Sequence, residues 1–111
     1  MTHILVPLSP AEAVERGALL TLRLANTTDP KTQERLQIQV ADLNSRVASL
    51  GRDADAAALY QAHADLLALQ SDIRAHDARN DFGPGFVALA RAHVVALEHL
   101  DALRVALAGR D

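Results

Sequence analysis

The chain has 111 residues, a mass of 11.9 kDa and a formal net charge of -3 at pH 7, the dimensions of one small domain. Apolar residues at 50% and charged residues at 23% exclude a disordered tail, and the lack of cysteine excludes disulfide scaffolds, thiolate zinc sites and cysteine nucleophiles. Aromatics at 3% leave no platform for stacked bases, and a pI near 5.9 runs against the basic face of a nucleic-acid binder.

Alanine (22 residues) and leucine (18) supply over a third of the chain, which favours helix. Ile4 to Pro7 is a short apolar run ending at proline, read as an extended lead-in or edge strand. Met1 to Leu8 has no basic lead and is not expected to be a signal peptide, and no apolar stretch approaches the roughly 18–20 residues of a membrane span. The expected location is the cytoplasm.

Ser9-Pro10 is a helix start: a capping hydroxyl, then proline where its missing N–H costs nothing. The first predicted helix runs from about 10 to 26 and is apolar over most of its circumference, the mark of a central or interfacial helix. Thr28-Asp29-Pro30 opens a second helix, to about residue 50, with one seam of Leu36, Val40, Leu43, Val47 and Leu50. Gly51 ends it and Asp53 is read as the cap of a third helix, to about residue 79, with Leu59, Ala62, Leu66, Leu69, Ile73 and His76 on its seam. The segment 80–85, Asn-Asp-Phe-Gly-Pro-Gly, is the strongest turn signal, with Phe82 read as an anchor beneath it. A fourth helix follows, from about 85 to 108. Its seam is Phe86, Leu89, His93, Leu97, Leu100 and Leu107, and Gly109 ends it. The fold class is therefore all-α: a single domain over residues 1–111, an up-down four-helix bundle built on a long antiparallel hairpin, with a short extended N-terminal segment. The apolar surplus on the first helix points to a homo-oligomer, most simply a homodimer.

Asp81-Phe82-Gly83 spells a tripeptide of protein kinases, but the chain is far too short for a kinase and has no glycine-rich loop. The polar residues that merit a chemical reading lie on the hairpin. If residues whose numbers sum to about 164–165 lie level, Asp72 and His76, four apart on one face, converge with Arg91 and His93, flanked by Arg74 and Asp77. Two imidazoles and a carboxylate are ligand types for a divalent ion, and an arginine fork suits a carboxylate or phosphate. The plain alternative is an inter-helix ion pair with two seam histidines. On the first helix, Arg16 and Arg23 stand one heptad apart and add basic groups that converge on an anion if helices 1, 3 and 4 meet. A Glu-x-x-His di-iron pattern, a Ser/His/Asp triad and a phosphate-cradling loop are all missing, so no resident metal or cofactor is expected.

Three stretches carry a resemblance. The first is Ser9-x-x-Glu12-x-Val14-Glu15-Arg16, with Leu20-x-Leu22-Arg23 and Asp29-Pro30-Lys31 after it. The second is Asp72-Ile73-Arg74-x-x-Asp77, and the third Phe82-x-x-x-Phe86-x-x-Leu89-Ala90-Arg91, followed by Glu98 and Arg104. Together they resemble a family of small uncharacterised bacterial all-helical proteins, a domain of unknown function. The resemblance implies an intact helical domain and singles out Glu12, Arg16, Arg23, Asp72, Arg74, Asp77 and Arg91 as its polar pattern. His63 and His76 depart from that pattern.

Two functions follow from these readings. One is a non-enzymatic module that binds a partner protein or a small anion through Asp72, Arg74, His76, Arg91, His93, Arg16 and Arg23. The other is a small all-helical enzyme on an anionic metabolite, mutase-like or a metal-dependent hydrolase, which rests on fold analogy alone.

Overall fold

A computed structural model describes residues 9–110 of the chain. The expected extended segment at Ile4 to Pro7 lies outside the described residues. Four helices account for nearly all of the rest: α1 (Pro10–Ala25), α2 (Pro30–Ser49), α3 (Asp53–Ala78) and α4 (Pro84–Ala108). The protein is all-α, as its sequence pattern predicts.

Local chemistry sets the boundaries. Ser9 caps α1 by accepting from the Glu12 N–H at 3.1 Å. Asp29 caps α2 twice over, its Oδ2 accepting from the Thr32 N–H at 3.0 Å and the Thr32 hydroxyl at 2.6 Å. Asp53 does not cap α3. It is the first helical residue, Arg52 precedes it with no side-chain cap, and Asp53 and Asp55 face the positive helix end instead. Both α2 and α3 end in Schellman turns. Gly51 takes φ +69° while the Arg52 N–H reaches Val47 O, and Asn80 takes φ +54° while the Asp81 N–H reaches His76 O. Asparagine tolerates that left-handed conformation better than other non-glycine residues, which is why the α3/α4 turn closes without a glycine there.

The helices pack in the order α2–α1–α3–α4. The principal contacts are α1 with α2, α1 with α3, and α3 with α4; among the described residues α2 does not touch α4. Ala13, Val14, Gly17 and Ala18 on α1 are buried, and a Cβ on Gly17 would lie 3.7 Å from the Leu43 Cβ, so small residues let α1 and α2 approach closely. Val14, Ala18, Val47, Leu59, Ala62, Leu66, Leu100 and Leu107 form one core. Fully burying a side chain such as Leu59 or Val14 stabilises by about 1.5–3 kcal/mol. Below the core, Arg52 donates to Arg110 O at 2.8 Å, and Arg110 meets Asp55 at 2.9 Å, clasping the α2–α3 turn to the end of α4.

The core stops short of the hairpin tip. At about 1.5 Å per residue α1 is near 24 Å long, whereas α3 and α4 are near 38 Å. Between Leu66 and Leu100 no residue is buried, although Leu69, Ile73, His76, Phe86, Leu89 and His93 half-bury one another along the expected seam. The molecule thus has a packed foot and a two-helix arm, residues 67–99. Phe82 is not the expected anchor. It is 53% exposed and meets Phe86 edge-on at 5.2 Å on the outside of the tip.

Candidate functional site

The hairpin does not assemble the expected four-residue cluster. His93 lies 3.4 Å from Gln70 rather than beside Asp72, because the true register runs about two residues lower than the assumed one. Asp72 is left on the outer flank of α3, exposed. His76 turns to the loop: its Nδ1 is 3.1 Å from Asp81 Oδ2, and its ring lies against Gly85 and Phe86. The Schellman turn carries Asp81 there, so a backbone motif and not the helix register chooses the partner of His76. That contact is an ion pair only when the ring is protonated, and it lacks hydrogen-bond geometry.

The arginines also disperse. Arg16, Arg23, Arg74 and Arg91 make no side-chain hydrogen bond or ion pair among the described residues, and Arg74 and Arg91 are exposed. Arg74 and His93 do share a shallow groove of about 420 Å³ with Gln70, Ile73 and Ala90. Arg91, Arg16 and Arg23 do not line it.

A polar junction that sequence reasoning missed ties three helices together. Arg104 on α4 grips Glu15 on α1 through Nε and Nη2, both 2.6 Å from the same carboxylate oxygen. His63 on α3 places its enclosed Nε2 3.5 Å from that oxygen, without a hydrogen bond. Asp101 approaches Arg104 at 3.7 Å from one turn away. The group joins acid, base and cation, but Arg104 occupies the carboxylate and His63 is enclosed. The arrangement holds α1 against the hairpin. Only the i,i+3 pair of Asp101 and Arg104 was open to sequence reasoning; the cross-helix partners follow from which face of α1 meets α3. A larger cleft, about 640 Å³, opens where α1, α2 and α3 meet, but alanines and neutral polar groups form most of its wall, with Asp53 the one charged residue.

Among the described residues no three His, Asp or Glu side chains come together to hold a metal ion, and no helix is long and apolar enough to cross a membrane. No family model, curated protein or solved structure matches the chain.

The most distinctive surface is apolar. α4 exposes Val87 (44%), Val94 (53%), Val95 (63%) and Val105 (74%) in addition to the seam it gives to α3. The surplus expected on α1 sits here instead, since α1 spends its apolar faces on both α2 and α3. Leu97, read from the sequence as a seam residue, also lies outward at 38% exposed.

Proposed function

We propose that the chain is a non-enzymatic helical interaction module and that its working surface is the arm. The observation that carries this is the pairing of an apolar α4 with an arm in which nothing between Leu66 and Leu100 is buried. A helix apolar on more than one face stabilises a fold only when more than one neighbour covers it. The ligand that suits a two-helix arm is another amphipathic helix of similar length, seated by knobs-into-holes packing. The groove holding Arg74, His93 and Gln70 supports a second reading, a small anion such as phosphate or a carboxylate, held by one arginine fork.

A thermal-shift titration separates the two. Phosphate, citrate, Mg²⁺ and Mn²⁺ are added to the full chain and to Arg74→Ala and Arg91→Ala. A specific ligand at a hundred times its Kd adds about 2.7 kcal/mol of stability, several degrees in Tm. The interaction module is expected to show no shift with any of them. A shift in the wild type that Arg74→Ala loses and Arg91→Ala, outside the groove, keeps overturns the module reading in favour of a metabolite site.

A further inference from the structure

α4 carries two seams. The first faces α3. The second, Val87, Ala90, Val94 and Leu97, repeats at spacings of three, four and three, which is the a/d pattern of a coiled coil. Three of its four members are exposed, Val87 at 44%, Val94 at 53% and Leu97 at 38%; beyond Leu97 the same spacing falls on Asp101 and Arg104, with Val105 beside them 74% exposed. Beside this seam stand two charges one heptad apart, Arg91 and Glu98. Both are exposed and neither makes an ion pair or side-chain hydrogen bond among the described residues. Their own i,i+3 and i,i+4 neighbours bear no charge except Asp101, which repels Glu98 and is drawn to Arg104.

We infer that the helix covering this seam is α4 of a second copy, packed antiparallel. This rests on the interaction-module reading and names its partner. The charges decide the occupant and the direction. With Arg91 and Glu98 on the same flank of the seam, antiparallel pairing about a two-fold axis brings Arg91 of each copy level with Glu98 of the other. One geometry therefore satisfies both unpaired charges twice over. The same register packs Val94 of one copy against Leu97 of the other in the two central layers. A parallel pair instead sets each of these charges opposite an uncharged or inward-facing position. The two-fold operation makes the surface self-complementary, so no second protein is needed to explain it.

The overlap from residue 87 to residue 104 is about 27 Å long and one helix, about 10–12 Å, wide. That footprint is smaller than the roughly 800 Å² per partner of a standard stable interface. The dimer is thus a weak, reversible one, sensitive to salt.

The test is sedimentation velocity of the full chain across a concentration series, with Arg91→Glu, Glu98→Arg, and the two variants mixed. The wild type is expected to pass from monomer to dimer. Each single variant sets like charges opposite each other twice and weakens the dimer by about tenfold or more. The equimolar mixture is expected to regain wild-type dimerisation, because a copy with acids at both positions then faces a copy with bases at both. All positions changed are exposed, and recovery in the mixture itself shows that both variants are folded. A wild type that stays monomeric at every concentration overturns the proposal, and so does a dimer indifferent to both variants and to their mixing. Neither of these produces the ligand shift that overturns the module reading, so the two failures are distinguishable.

Discussion

The foot and the arm of the same hairpin follow the same seam pattern and reach different ends. In the foot, Leu59, Ala62 and Leu66 on α3 and Leu100 and Leu107 on α4 are buried, because α1 and, through it, α2 close over them. In the arm, Leu69, Ile73, Phe86 and Leu89 hold equivalent seam positions and stay half-exposed, α1 with 16 residues being much shorter than α3 with 26 and α4 with 25. Heptad spacing thus states that a helix has an apolar face; the lengths of its neighbours decide how much of that face is covered. Two helices alone bury one stripe each, and α4 has more apolar surface than one stripe absorbs.

The largest expected contrast comes from emptying equivalent positions. Leu59→Ala removes a side chain that is 1% exposed and is expected to cost about 2–5 kcal/mol in urea unfolding. Ile73→Ala, on the half-exposed seam of the arm, is expected to cost about 1 kcal/mol. Similar losses at the two positions would erase the distinction between foot and arm.

A smaller effect sharpens how the foot is held. Arg104→Ala removes the link between α4 and Glu15 and is expected to cost about 1 kcal/mol, since the pair is partly exposed and partly screened. Double-mutant cycles with Glu15→Gln are expected to show coupling between the two, and no coupling would mean that apolar packing alone seats α1 on the hairpin.

The smallest effect lies outside the hairpin and reports on the α2 cap. The Thr32 hydroxyl, and next its backbone N–H, hold the Asp29 carboxyl below its ordinary value of 3.8. A depressed folded-state pKa contributes stability that is present above 3.8 and is lost as pH falls through the lower, folded value. Thr32→Val keeps the N–H and removes the hydroxyl. The Asp29 titration, followed by carboxyl NMR, is expected to move up toward 3.8 while the rest of the chain is unmoved.

The elements were legible because their signals are local. Ser9-Pro10, Asp29-Pro30 and Gly51 each act within one turn, and the helix bounds follow them closely. Asp53 misled only because an acid at the first helical position and an acid at the cap look alike in sequence. The candidate site was illegible for two physical reasons. A register slip of two residues across an antiparallel pair exchanges Asp72 for Gln70 beside His93, and nothing in either helix alone fixes that register. The Glu15–Arg104 grip, and His63 beside it, depend on how α1 docks across two other helices, which periodicity within each helix does not encode. The apolar surplus was legible in amount but assigned to α1, where Leu19 is the one exposed large apolar side chain, and not to α4, which exposes Val87, Val94, Val95, Leu97 and Val105.

The central claim is that the arm is incomplete until a second helix covers it, and amide hydrogen exchange read at two concentrations tests it most directly. At about 1 μM the amides of residues 67–99 are expected to exchange at least about tenfold faster than those of the foot, because nothing in the arm is buried. At about 200 μM the arm amides, those of α4 above all, are expected to slow while the foot stays unchanged. An arm as protected as the foot at the lower concentration, or one that ignores concentration, would contradict it.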